Sequence, residues 1–217
     1  MTSQKSIFLH NEANQWFERN KAALKERCMP EEDLIASTMM ESSHLYKNST
    51  ILEIGCADGF RLSFLEHALT AEVYGVDPSS TAIDSGKKNG LNLQVGTADN
   101  LDFADNTFDI VILGFCLYLC DRSDLFRIAA EIDRVTKDNA WIIIQDFFSE
   151  SDYANDYSHF EGVKSYKSDY RKMFTWHPAY SPISHKLSDH SNFKNFTDNQ
   201  DEWIALSIIR KNLAALP

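Results

Sequence analysis

No apolar run in this sequence approaches the roughly 18–20 residues that a membrane helix needs, so no membrane association is expected. The start, MTSQKSIFLHNEANQWFERNK, is polar and of mixed charge and lacks the apolar core of a signal peptide, which makes a cytoplasmic location the expectation. Paired cysteine spacing is missing too. Cys28, Cys56, Cys116 and Cys120 form no CxxC pair or zinc-finger pattern and read as buried, reduced thiols. His159, Glu161, His177, His185 and His190 show no compact ligand spacing, and no metal is expected. Positive charge is scarce: 21 Lys and Arg face 32 Asp and Glu, a formal net charge of −11, which argues against a nucleic-acid substrate. Arg171 and Lys172, with Lys164 and Lys167, are the only candidate basic cluster. Repeats, low-complexity tracts and linkers are absent, and 217 residues suffice for one well-buried domain.

What is present is a change of pattern along the chain. The first part reads as helices: an amphipathic segment Asn14–Cys28, a break at Met29-Pro30, then Glu31–Tyr46. From Ser49 onward short β-branched or apolar runs (Ile51–Ile54, Glu72–Val76, Leu91–Val95, Phe108–Leu113, Trp141–Gln145) alternate with helix-like Arg61–Leu69, Ser80–Lys88 and Ser123–Thr136. That alternation predicts βαβ units, hence a doubly wound, mostly parallel α/β sheet with helices on both faces. Segment Ser149–Asn199 has weak periodicity, and Glu202–Arg210 fits a strand or a short helix.

The stretch ILEIGCADGF carries the strongest signal. A strand holding Glu53 runs into Gly55-Cys56-Ala57-Asp58-Gly59, and the glycines permit close backbone approach by a ligand. Asp77, at the end of the next strand and followed by Pro78, stands 22 residues after Gly55, where an acid can accept from ribose hydroxyls. As a bare motif each of these is equally a strand-ending turn. GCADGF lacks the middle and last glycines of Gly-x-Gly-x-x-Gly, which excludes a nicotinamide fold.

The set resembles class I (Rossmann-like) S-adenosylmethionine-dependent methyltransferases over about Ser49–Phe148, with Ala57 in place of the middle glycine of their acidic-x-Gly-x-Gly-x-Gly motif. The resemblance implies a seven-stranded sheet closed by an antiparallel C-terminal strand at Glu202–Arg210. It implies a single domain: a helical cap over 1–48, a cofactor-binding core over 49–148, and a substrate-side insertion with closing strands over 149–217. It further implies that Glu53, Gly55, Cys56, Ala57 and Gly59 border the cofactor's methionyl part, Asp77 and Pro78 its ribose, and Ala98 and Asp99 its adenine. Gly114 and Phe115 would face the transferable methyl group, with Tyr118 toward substrate or core, and Phe103 and Phe108 in the core. Asn139 would replace a turn glycine, since Asn tolerates left-handed geometry.

Such a chain would bind S-adenosylmethionine, release S-adenosylhomocysteine and act as a monomer or homodimer on a small-molecule acceptor. Alignment supplies most of that catalysis, and a hydroxyl acceptor adds the need for a base. Asp146, at a strand end, and His159 and His177 in the last third are the candidates; Asp146 alternatively caps a turn. Arg19 could meet the cofactor carboxylate through a bidentate ion pair, or lie on the outside of a helix that packs Trp16 and Phe17. A looser likeness to bacterial methylases of pseudaminic acid and surface-sugar biosynthesis rests on Tyr157, His159, Lys167 and Asp169. It favours a sugar or nucleotide-linked sugar hydroxyl, with Tyr153, Tyr157, Tyr166, Tyr170 and Trp176 stacking on the acceptor or packing as a lid. A protein or RNA methyltransferase and a non-catalytic cofactor-binding domain are the alternatives.

Overall fold

The computed structural model describes residues 3–26, 29–191, 193 and 195–215. Ser3 caps the short helix α1 (Gln4–Ile7), which continues through a π-helical turn, Phe8–Glu12, into α2 (Ala13–Glu26). Cys28, the expected end of that helix, lies outside the described residues. The second N-terminal helix is shorter than expected, α3 (Leu34–Glu41) plus a 3-10 turn at Ser43–Leu45. Asp33 sets its start later than expected by accepting from the Ala36 N–H at 2.9 Å, an N-cap that fixes the first turn.

Beyond this cap the expected alternation is present. Strands β1 (Thr50–Ile54), β2 (Glu72–Asp77), β3 (Asn92–Val95), β4 (Phe108–Gly114) and β5 (Thr136–Phe147) are separated by α4 (Phe60–Leu69), α5 (Ser80–Lys88) and, before β5, α6 (Leu125–Val135). Ile110, Val111, Ile112 and Leu113 are all buried, the unbroken apolar run of a strand covered on both faces. One face packs Leu52, Val111, Leu113 and Ile142 against Ile128, Ile132 and Val135 of α6. The other packs Ile51, Ile110, Ile112 and Ile143 against Leu62, Leu65 and Leu69 of α4 and Ile35 and Met39 of α3.

Two further strands, β8 (Tyr180–Asp189) and β9 (Trp203–Lys211), complete a seven-stranded sheet of order β3-β2-β1-β4-β5-β9-β8. β9 is antiparallel to β5, as expected of Glu202–Arg210, and β8 is antiparallel to β9. A separate hairpin, β6 (Tyr153–Asp156) with β7 (Lys164–Lys167), precedes them. β8 is not evident in the sequence for a physical reason. As an edge strand it is largely exposed, and its register shifts between Pro182 and Ser184, so its side chains do not alternate cleanly. Asn139 takes the left-handed conformation expected of it, at φ 57°.

Strand order reverses between β1 and β4, so the carboxyl ends of β1, β2 and β4 open on one crevice, the usual ligand position in a doubly wound sheet. The cap helices lie across that end.

Candidate active site

The chain after β1 turns sharply. Gly55 (φ 79°), Ala57 (φ 49°) and Gly59 (φ 75°) are all left-handed. At Gly55 the close approach is decisive, because a Cβ there would stand 2.8 Å from the Cys116 Cβ beyond β4. Cys56 is buried beside β2, and burial pushes its thiol well up, so it is an inert packing residue.

Two carboxylates fix this loop. Asp77 accepts from the Ala57 N–H at 3.0 Å and from the Ser79 N–H at 2.8 Å, tying the turn after β1 to the turn after β2 across Pro78. Burial pushes its carboxyl up to about 6, against the pull of those two N–H groups. Glu53 is pushed up to about 7 by burial, with Arg61 opposing. Arg61 reaches Glu53 Oε1 through Nη1 and grips Asp33 through Nε and Nη2, each at 2.9 Å. The Glu53–Arg61–Asp33 chain thus joins β1, α4 and α3. Glu53 Oε2 is buried with no hydrogen-bond partner among the described residues, an acceptor available to a ligand. Arg61 escaped the sequence reading. The signal for it is a cation in the first turn of a buried helix, eight residues after a buried acid, in a chain short of cations.

Asp99 lies beyond β3, next to buried Ala98. Lys5 of α1 donates to its Oδ2 at 2.6 Å and pairs with Asp124 at 2.9 Å. Burial raises the Asp99 carboxyl, but hydrogen bonds from Lys5 and Thr97 outweigh it and leave it lowered. Asn14 of α2 accepts from the Ser79 hydroxyl at 2.9 Å and the Thr81 N–H at 3.1 Å. The cap therefore touches both the Asp99 and the Asp77 ends of the crevice.

Beyond β4 the backbone is again unusual. Phe115 is left-handed (φ 51°), a costly state for a bulky side chain, and its N–H donates to Gln145 O at 2.8 Å. Asp146 holds the following turn, accepting from Leu117 N at 2.8 Å, Tyr118 N at 3.3 Å and Phe147 N at 2.8 Å. Its carboxyl is buried and pushed up to about 7 by that burial. Aromatic rings gather here: Phe115 and Tyr118 contact Phe147 at centroid distances of 5.6 and 5.0 Å. Tyr118 is mostly buried, and Phe108 lies in the core with Phe103 packed on it at 4.9 Å.

Arg19 is exposed, and its guanidinium is engaged by the protein's own groups. It pairs with buried Glu12 at 2.5 Å and donates to the Tyr157 hydroxyl at 3.2 Å, while that hydroxyl donates to Glu12 at 3.0 Å. His159 is exposed, its ring 5.3 Å from that of Tyr157. The candidate basic cluster disperses: Lys164 pairs with Asp156, Arg171 with Asp169, and Lys167 is buried. Among the described residues no helix is long and apolar enough to cross a membrane, and no three His, Cys, Asp or Glu side chains are placed to hold a metal.

A profile of the methyltransferase domain family matches residues 52–144. That segment resembles a methyltransferase domain, and the sheet around it has the class I methyltransferase fold. The domain's segment is 28% identical over 132 residues to an uncharacterized methyltransferase of Schizosaccharomyces pombe, covering 54% of this chain and 47% of that one. It is 32% identical over 112 residues to a demethylmenaquinone methyltransferase of Staphylococcus haemolyticus, covering 48% and 46%. The chain thus spans about half the length of these curated relatives. Among solved structures, the fold matches a methyltransferase of Methanosarcina mazei (TM-score 0.61, 19% identity, 78% of this chain and 96% of that one). It also matches the Burkholderia thailandensis 1,6-didemethyltoxoflavin-N1-methyltransferase with bound 1,6-didemethyltoxoflavin and S-adenosylhomocysteine (TM-score 0.67, 14% identity, 95% and 88%). The residues of the methyltransferase crevice fit the cofactor: an orphaned acceptor on Glu53, a loop with no room for side chains at Gly55, and acids at three successive strand ends.

Proposed function

We propose that this chain transfers a methyl group from S-adenosylmethionine to a small molecule with a flat ring. The observation that carries the reading is the row of acids, Glu53 and Asp99 buried and Asp77 half-buried, at the ends of β1, β2 and the segment after β3. A ligand that carries a net positive charge suits such a row, and its neutral product leaves more readily.

When bound, the cofactor supplies an electrophilic methyl carbon on a sulfonium, whose sulfur departs with the bonding electron pair as the thioether of S-adenosylhomocysteine. The chain's own residues align and enclose. Asp77 would accept from the ribose hydroxyls and Asp99 from the adenine amino group. Gly55 to Gly59 would border the methionyl part, and the Gly114–Phe115 turn, held by Asp146, the methyl side. The cap helices exclude water. We assign Asp146 to holding that turn, since three backbone N–H groups already occupy its carboxylate. His159, on the rim beside Tyr157, is the base for an acceptor that arrives protonated.

The ring acceptor is favoured by Phe115, Tyr118 and Phe147 around the methyl side, and flat rings stack on such faces. The relatives named for demethylmenaquinone and 1,6-didemethyltoxoflavin, both flat ring compounds, support it. Most aromatic residues expected to stack on a sugar are engaged elsewhere. Tyr166 lies 4.1 Å under the Arg122 guanidinium, Tyr170 is buried, and the Tyr153 hydroxyl bonds Asp201 at 2.8 Å.

A methyl-transfer screen with labelled cofactor tests this, using phenolic and heteroaromatic compounds, sugars with nucleotide sugars, and RNA with protein. Label is expected in the ring compounds. Label confined to sugars removes the ring acceptor, and label in RNA or protein removes the small-molecule reading.

A further inference from the structure

We propose that Lys167 is an acceptor-binding residue, whose ammonium receives an anionic oxygen carried on the flat ring of the acceptor. The inference rests on the ring reading above and adds the charge that the ring carries. Lys167 ends β7, and the Ser168 N–H donates to Phe147 O at 3.4 Å, so the hairpin brings it to the end of β5. Its Nζ lies 3.6 Å from the centroid of the Phe147 ring. That ring is the centre of the aromatic cluster, with Phe115, Tyr118 and His190 at centroid distances of 5.6, 5.0 and 4.9 Å.

The ammonium is buried with bonding capacity to spare. It donates to Asp201 O at 2.8 Å, rests on the ring face, and forms no ion pair among the described residues. Lys211, also buried, shows the usual arrangement: it meets Asp133 Oδ1 at 2.9 Å, Asp133 O at 2.8 Å and Thr136 O at 2.9 Å. A buried charge normally has such partners, because taking it out of water is costly. Burial accordingly pulls the Lys167 ammonium below its ordinary value, although the charges of Asp201, Glu202 and Asp146 oppose the shift. The cation–ring contact offsets part of the cost. One donor is left for an anion.

The sheet face beside Lys167 also calls for a polar ligand. Gln145 lies two residues before Phe147 on β5, and Phe147 pairs through Ile204 with Ser188 of β8, so the three share one face. Gln145 Oε1 and Ser188 Oγ are buried without a hydrogen-bond partner among the described residues, and such groups are rare unless a ligand or water meets them. In a chain of net charge −11, with acids lining the crevice, an anionic acceptor is repelled unless a local cation receives it. Lys167 is that cation.

Calorimetry of the full chain saturated with S-adenosylhomocysteine tests this with two pairs of ring compounds. Para-hydroxybenzoate against neutral para-hydroxybenzamide reads a preference for a carboxylate; para-nitrophenolate against para-nitroanisole reads one for an ionised hydroxyl. In at least one pair the anion is expected to bind about tenfold tighter, the contribution of a charged hydrogen bond. Lys167→Met is expected to abolish that preference and leave S-adenosylhomocysteine affinity unchanged. Its melting temperature is expected to hold or rise, since the variant removes an uncompensated buried charge. Lys167→Gln, which keeps a donor for Asp201 O, is expected to lose the preference likewise and serves if the methionine variant does not fold. A lower melting temperature with the preference intact would make Lys167 a structural residue and overturn the proposal. Equal binding of anionic and neutral rings to the wild type would overturn it too, while leaving the ring acceptor standing. Binding of none of the four compounds would remove the ring acceptor, and the anion site with it.

Discussion

Asp77, half-buried, and Asp146, buried, both accept backbone N–H groups, yet they do different work, and single substitutions separate them. Asp77→Asn leaves one of the Ala57 and Ser79 N–H groups without its acceptor and removes charge at the proposed ribose position. Cofactor affinity is expected to fall at least about tenfold, since hydrogen bonds to a charged group contribute about 1.5–3 kcal/mol each. Because the Asp77 carboxyl sits at about 6, wild-type affinity is expected to rise between pH 5 and pH 8 as it ionises. Calorimetry over that range checks both, and a pH-independent affinity would exclude Asp77 as the acceptor. Asp146→Asn is expected to lower thermal stability by about 1–3 kcal/mol, the usual cost of a buried unmatched N–H, and to lower kcat without removing the acid limb of the pH profile. Loss of that limb with unchanged stability would instead make Asp146 the base. At this scale the sequence was readable where an acid ends or closely follows a strand, as at Asp77 and Asp99. It was not readable where function rests on a partner far along the chain. Nothing local ties Lys5 to Asp99, Glu12 to Tyr157 or Arg61 to Asp33.

At the scale of elements, α5 shows how packing positions the site. Gly86 is a poor helix former placed mid-helix, and it is there because a Cβ would meet Leu93 of β3 and the Asp58 backbone of the cofactor loop. Gly86→Ala is expected to destabilise the fold by about 1–3 kcal/mol, an overpacking cost, and to weaken cofactor binding by moving α5 off the loop. Denaturant unfolding and a cofactor titration measure the two effects; retention of both values would mean that α5 shifts freely. The parallel strands were legible because burial on both faces leaves an apolar run. Edge strand β8 and the β6–β7 hairpin were not, since exposed strands carry no such mark. The π turn had no local signature either, because its value lies in turning Glu12 inward toward Tyr157.

Across the whole molecule, the negative balance of the sequence is concentrated in part at the crevice. Glu53, Asp77 and Asp146 have carboxyls raised to about 7, 6 and 7, above the ordinary carboxylate value of about 4. The folded chain therefore holds those protons more tightly than the unfolded chain. Their stabilising effect is full below pH 4 and is lost as pH rises through 6 to 7. Asp99, Asp133 and Asp169 are lowered and lose theirs only as pH falls below the ordinary range. His185 is lowered and works in the opposite sense within the window, one group against three. Ligand-free protein is thus expected to melt at a lower temperature at pH 8 than at pH 5.5, and saturating S-adenosylmethionine to reverse the order. A ligand-free melting temperature that rises over that interval would contradict this charge distribution.

The central claim is that Glu53, Asp77 and Asp99 form one cradle for a single cofactor. Isothermal titration of the full chain with S-adenosylmethionine, alongside Asp77→Ala and Asp99→Ala, tests it most directly. Saturable one-to-one binding to the wild type is expected, with at least about tenfold weaker binding to each variant, the effect of losing a charged hydrogen bond. Binding of equal strength to all three proteins, or none to the wild type at near-millimolar ligand, would contradict it.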